Sequence, residues 1–210
     1  MMSKAVIIRL SKYKNIIKRF KKLGFVKVFS DNIAEAIGGT SAQVRKDFSL
    51  FGISGNKRGG YIIENLLEKI SEILGKDSLQ KAIVVGIGHI GGALVNYKGF
   101  ENENIKIVAG FDIDPARYKN EKNVRIYPIE QLKDFVKKEN IKLGIICVPD
   151  IAAQQILELM ISAGIRGVLN FAPILLRGND TVVINNVNLA LELENIIYFI
   201  NVQDKEMQSS

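Results

Sequence analysis

Residues 84–92 read VVGIGHIGG, and no other stretch narrows the possible folds so far. Three glycines fall as Gly86-x-Gly88-x-x-Gly91, directly after the apolar run AIVV. That spacing marks the strand-to-helix turn of a dinucleotide-binding βαβ unit. The first glycine permits a tight turn, the second lets the backbone approach a pyrophosphate, and the third lets helix and strand pack closely. The helix that opens there offers free N–H groups and partial positive charge to the phosphates. Gly86, Ile87, Gly88, His89, Ile90 and Gly91 are therefore candidate cofactor contacts. His89 is the only histidine in the chain. Inside this turn it faces phosphate or solvent rather than transferring a proton.

The surrounding pattern supports that reading. From residue 81 onward, strand candidates at 82–86, 105–111, 124–127, 143–148, 166–171 and 181–184 alternate with helical stretches near 90–97, 129–139, 152–163 and 189–200. Such alternation predicts an α/β fold with a parallel, doubly wound sheet. Asp112 closes the second strand, 21 residues beyond Gly91, where a carboxylate accepts hydrogen bonds from an adenosine ribose. It also repels a 2′-phosphate, so NAD+/NADH is expected over the phosphorylated pair, with Ile113 beside it. Asp114 can cap the loop before Pro115. The far half of the crevice should lie at CVPD (147–150) and NFAP (170–173). Val148, Pro149, Asn170, Phe171, Ala172 and Pro173 are the candidates there, and Tyr97 lies near the end of the first helix. No Ser-His-Asp set, Lys–Tyr pair at helical spacing or His/Cys metal cluster appears, so no catalytic group and no metal site is expected.

The first third of the chain has a different character. Residues 1–60 carry 13 Lys/Arg against 3 Asp/Glu, or +10, while residues 61–210 carry 16 against 19, or −3. Excess positive charge confined to one segment points to a polyanionic partner for that segment. Ile7, Leu10, Tyr13, Ile17, Phe20 and Leu23 recur at helical spacing, with lysines between them and Gly24 as a stop. Ser30, Asp31 and Asn32 offer caps for a short helix ended by Gly38-Gly39. Thr40 with Gln43 three residues later makes a capping box for a third helix, whose stripe Val44, Phe48 and Phe51 is buried. Two short helices with a tight turn suggest a helix-turn-helix. Ser41, Gln43, Arg45, Lys46 and Ser49 would reach DNA from its second helix. FGISGNKRGGY then suits a two-stranded wing with Lys57, Arg58 and Gly59 at its tip.

No apolar run is long enough for a membrane span, and the N-terminus lacks the pattern of a signal peptide. The single cysteine, Cys147, excludes a disulfide framework within the chain. A cytoplasmic location is expected.

TSAQVRKDFSLFG, KRGGY, VVGIGHIGGALVNYKGF, FDIDP, AGIRGVLNFAP and NNVNLALELENIIYF occur in that order. Together they resemble the Rex family of redox-sensing transcriptional repressors over nearly the whole chain. The resemblance implies a winged helix-turn-helix domain (1–78), a Rossmann-like NAD(H)-binding domain (79–187) and a C-terminal helix with its tail (188–210), swapped onto the partner of a homodimer. It implies a palindromic double-stranded operator released by NADH. It places Gln43, Arg45, Lys46, Lys57, Arg58 and Gly59 on DNA, Gly86, Gly88, Gly91 and Asp112 on the dinucleotide, and Tyr97 near the nicotinamide.

Two departures stand out. Members of that family commonly pair an Arg of the first helix with an Asp just before the swapped helix; Asn15 and Asn188 occupy those positions here. The wing reads GNKRGGY where G-K-R-G-V-G-Y is usual. Two other readings stay open at this point. One is a small NAD-dependent oxidoreductase with a basic appendage, and the other is a constitutive DNA-binding dimer with weak redox response.

Overall fold

The computed structural model describes residues 2–56, 59–118, 120–121 and 124–208. The chain divides into two compact units, Met1–Leu79 and Gln80–Ser210.

The first unit contains α1 (Lys4–Lys22), β1 (Lys27–Val28), α2 (Ser30–Ile37), α3 (Ser41–Leu50), β2 (Tyr61–Ile62) and α4 (Ile63–Ile73). Residues three and four apart share a helix face. Leu10, Tyr13 and Ile17 of α1 accordingly meet Val44 and Phe48 of α3 and Ile63, Leu66 and Ile70 of α4 in one buried core. The Phe48 ring packs edge-to-face with Tyr13 at 5.5 Å and with Tyr61 at 5.2 Å between centroids. Helix α4 was not singled out from sequence, although the spacing of Ile63, Leu66 and Ile70 carries its signal.

Local capping fixes the starts of the short helices. Asn32 Oδ1 accepts from the Phe29 N–H at 3.0 Å ahead of α2. Thr40 Oγ1 accepts from the Gln43 N–H at 3.2 Å and opens α3. The expected return bond from the Gln43 side chain is not made. The side chain turns instead along α3, where its amide nitrogen donates to the buried Asp47 carboxylate at 2.8 Å. β1 and β2 pair antiparallel, and Asn56 bridges to Gly60 at the base of the loop. Lys57 and Arg58 lie outside the described residues.

The second unit contains β3 (Gln80–Val85), α5 (His89–Val95), β4 (Ile105–Asp112), β5 (Asn120–Glu121), β6 (Val124–Pro128), α6 (Leu132–Glu139), β7 (Leu143–Ile146), α7 (Asp150–Ala163), β8 (Gly167–Asn170), β9 (Val183–Asn186) and α8 (Leu189–Gln208). The sheet runs β5-β6-β4-β3-β7-β8-β9, parallel throughout except for β5. The order reverses beside β3, which creates a crevice at the strand ends. Alternate residues of a strand face opposite sides. Ile83 and Val85 thus enter the core beneath α6 and α7 with Phe111, Leu157 and Met160, while Ala82 and Val84 face Ile87, Val95 and Ile107.

Two features of this unit depart from the sequence expectation, and a third agrees with it. The short antiparallel β5 was not foreseen. The last strand begins at Val183 rather than 181. The crossover between β8 and β9 carries no helix, and side chains hold it instead. Asn170 Nδ2 donates to Ile174 O at 2.8 Å and to Asn186 Oδ1 at 2.9 Å, and its Oδ1 accepts from the Ala172 N–H at 2.9 Å. Gln154 pairs with the backbone of Arg177 in both directions. Helix α8 leaves its apolar side chains in solvent, with Leu193 61% and Phe199 64% exposed. Asn188 caps it, accepting from the Ala190 and Leu191 N–H groups at 3.1 and 3.2 Å.

Candidate functional site

A cleft of about 490 Å³ opens where β3, β4, β7 and β8 end. The glycine turn forms its floor. Gly86 has φ 88°, and a Cβ there would stand 2.6 Å from the Cys147 carbonyl oxygen. A Cβ on Gly91 would collide with the Gly86 carbonyl. Gly88 differs from both, because a Cβ there would meet nothing within 4 Å. Two glycines therefore serve the protein's own packing, and the third leaves open space beside the cleft.

Asp112 stands at one end of the cleft. Its Oδ2 accepts from the Ile87 N–H at 2.6 Å and its Oδ1 from the Asp114 N–H at 2.9 Å. Each oxygen retains a lone pair for a ribose hydroxyl. Asp114 in turn accepts from the Ala116 N–H at 2.9 Å, and Arg117 Nε lies 3.8 Å from its other oxygen. Ile90, Ile113, Ile129, Val148, Pro149, Ile156, Phe171 and Pro173 make the remaining walls largely apolar. Cys147 also lines the cleft, and burial pushes its thiol up to about 12, so it stays neutral.

Several expected contacts sit elsewhere. Ile87 is buried in the core and gives the site only its N–H. Asn170 is fully buried, and its carboxamide is spent on the crossover. Ala172 is buried as well. Tyr97 is 58% exposed, packs on Phe100 and lines a separate hollow with Lys98 and Lys106. His89 is exposed at the start of α5. Sequence reasoning missed Arg117, Ile129, Ala152 and Ile156, which reach the cleft only through tertiary packing.

The second candidate surface is α3. Arg45, Lys46 and Ser49 are exposed, and Ser41 and Gln43 are half-buried. Neither Arg45 nor Lys46 makes an ion pair among the described residues. Arg45 lines a hollow with Phe29, Asn56, Gly60 and Tyr61, which sets the helix beside the base of the wing. Beneath it, Asp47 is buried and accepts from Arg9 Nε at 2.6 Å, Arg9 Nη2 at 2.8 Å and the Tyr13 hydroxyl at 2.7 Å. Those bonds, Arg9 first, hold the Asp47 carboxyl below the usual carboxylate range, although burial opposes them. Burial and the neighbouring carboxylate push Tyr13 up to about 12. Among the described residues no group of His, Cys, Asp and Glu could hold a metal ion, and no helix is long and apolar enough to cross a membrane.

Comparison with known proteins joins the two surfaces. Residues 1–49 match the family model described as "Putative DNA-binding protein N-terminus", and residues 77–174 match the CoA binding domain. The redox-sensing transcriptional repressor Rex of Streptococcus thermophilus is 39% identical over 96% of this chain and 94% of its own length. The chain belongs to the Rex family of redox-sensing transcriptional repressors. Rex of Desulforamulus reducens is likewise 39% identical, covering 96% of both chains. RSP, a Rex-family repressor, superposes with a TM-score of 0.92 at 31% identity in its complex with β-NAD+ and operator DNA, covering 100% of this chain and 98% of RSP. Its complex with β-NADH superposes at 0.89. These Rex relatives are named as repressors, not as dehydrogenases.

Proposed function

We propose that this Rex-family chain is a cytoplasmic redox-sensing repressor that reads a palindromic operator through α3 and the wing and leaves it when NADH binds. One observation carries the reading: a helix with exposed Arg45 and Lys46 shares a chain with a strand-end cleft that holds the glycine turn and the Asp112 carboxylate. The cleft fits NAD(H). Gly88 leaves room for the pyrophosphate, Asp112 accepts from the adenosine ribose and disfavours a 2′-phosphate, and Phe171 and Pro173 offer an apolar wall to the nicotinamide. When bound, the dinucleotide supplies a ring that is cationic if oxidised and neutral if reduced. Burying an unpaired charge against apolar groups is costly, so the wall favours the reduced ring.

That preference must bias two arrangements of a dimer. The exposed apolar side chains of α8 support a homodimer in which this helix packs on the partner subunit. Two recognition helices can enter successive major grooves only at a separation of about 34–36 Å or a multiple of it. Coupling between the sites of about 1–3 kcal/mol would change operator affinity roughly 5–150-fold. Asn15 and Asn188 replace the charged pair usual in the family, which supports a weaker or differently wired link between the units.

Fluorescence anisotropy on an operator duplex, titrated across NADH:NAD+ ratios, tests this. Affinity should fall as the ratio rises. Dinucleotide binding with unchanged operator affinity would identify a constitutive DNA-binding dimer, and turnover of a carbonyl substrate without DNA binding would identify an oxidoreductase.

A further inference from the structure

The buried ion pair beneath the recognition helix does more than join two helices. Asp47 is 0% exposed and lies one helical turn after Gln43. A carboxylate can only accept hydrogen bonds, so the group of Gln43 that faces it must be the amide nitrogen, and Nε2 sits 2.8 Å from Asp47 Oδ1. Arg9 and Tyr13 hold that carboxylate in place. The Gln43 carboxamide is then fixed end over end. One N–H is consumed; the second N–H and Oε1 have no partner among the described residues. Gln43 lies in the first turn of α3, where a recognition helix meets base edges.

We propose that Asp47 is a positioning residue for base reading, locking Gln43 so that it presents a paired donor and acceptor to DNA. That pair complements adenine, whose major-groove edge offers the N7 acceptor beside the N6 donor. Guanine offers two acceptors at the same place and is disfavoured. Arg9, which binds the same Oδ1 as Gln43 and never reaches a base, thereby contributes to which base is chosen. The proposal rests on DNA reading by α3, and the experiment separates the two claims.

Full-length protein with NAD+ is used to select from a randomised double-stranded DNA pool, and the enriched sites are compared among variants. The wild-type protein should enrich one motif with an adenine in each half-site that Gln43→Ala alone makes indifferent. In Asp47→Asn an amide nitrogen replaces one carboxylate oxygen, and at the Oδ1 position it faces Gln43. Gln43 must then turn Oε1 inward and show two N–H donors, so that position should move from adenine towards guanine. Arg9→Lys, a gentler change, should weaken the adenine preference several-fold while binding to mixed-sequence DNA holds. A bidentate pair discriminates on the order of 10-fold or more, which such a selection resolves. Tyr13→Phe leaves Oδ1 untouched and should lower the melting temperature without changing the motif. A wild-type pool with no enriched motif sinks the reading of α3 itself. A motif with no Gln43-dependent adenine, or one unaltered in both Asp47→Asn and Arg9→Lys, overturns the positioning role alone. If Asp47→Asn does not fold, Arg9→Lys decides.

Discussion

Arg9 grips Asp47 through two N–H···O bonds, 2.6 Å from Nε to Oδ2 and 2.8 Å from Nη2 to Oδ1, and so ties the first helix to the recognition helix 38 positions later. The two partners are not equally buried: the side chains are 31% and 1% exposed. Removing the arginine strands a carboxylate away from water, whereas removing the aspartate leaves a guanidinium that water can reach and only a neutral hydroxyl, that of Tyr13, buried without its acceptor. Arg9→Ala should therefore cost about 3 kcal/mol, and Asp47→Ala only about 1–2 kcal/mol. Chemical denaturation measures both, and equal losses would show that burial does not govern the pair.

Acid should erase the advantage of this pair. The folded carboxyl titrates below its unfolded value, so its contribution is complete above about pH 4 and is lost as pH falls through the folded pKa. The gap in unfolding midpoint between wild type and Asp47→Ala should narrow as pH is lowered from about 6 to about 3. A gap that stayed constant over that range would contradict the depressed titration.

The glycines of the turn should separate stability from binding. Gly91→Ala meets the Gly86 carbonyl and should destabilise by about 3 kcal/mol or more. Gly88→Ala meets nothing in the protein, so its melting temperature should hold while NADH binding, followed by fluorescence, is lost. Tight NADH binding by Gly88→Ala would place the pyrophosphate elsewhere.

Asp112→Ala removes two backbone hydrogen bonds and the expected ribose contact at once. Dinucleotide affinity should fall roughly 10–100-fold, the equivalent of about 1.5–3 kcal/mol for a charged hydrogen-bonding group. Titration calorimetry with NADH and NADPH gives a second check, since loss of the carboxylate should also narrow the preference between them.

Cys147 should resist alkylation despite lining the cleft. With burial raising its thiol to about 12, the thiolate is scarce at neutral pH, and reactivity should climb only in strong alkali. Iodoacetamide at about pH 8 should label it at least 100-fold more slowly in folded than in urea-unfolded protein, by mass spectrometry. Equal rates would mean that the cleft wall opens readily.

The parts of this molecule that sequence displays are those set by short-range rules. The glycine turn and the Thr40 cap are each written within a few residues, and the Asp112 acceptor and the alternation of strands and helices follow from regular spacing along one βαβ pattern. What sequence conceals is decided by distant partners. Asp47 looks like an ordinary polar residue of a helix until Arg9 and Tyr13 fold over it. Asn170 sits in a segment that reads as cofactor-binding, yet the helix-free crossover behind it claims all its polar atoms. Tyr97 is adjacent to the turn in sequence but opens onto another hollow. Ile129, Ile156 and Arg117 come to the cleft from three different elements, and no local pattern announces them.

The fixed carboxylate of Asp112 limits where redox information can enter. Two backbone N–H groups orient it before any ligand arrives, so folding has already borne the entropy of ordering it. The adenosine it would hold is chemically the same in NAD+ and NADH, and affinity shared equally by two forms shifts no equilibrium between them. Changes at that end would raise or lower occupancy of both forms together, and the message itself has to be written at the opposite end, against Phe171 and Pro173.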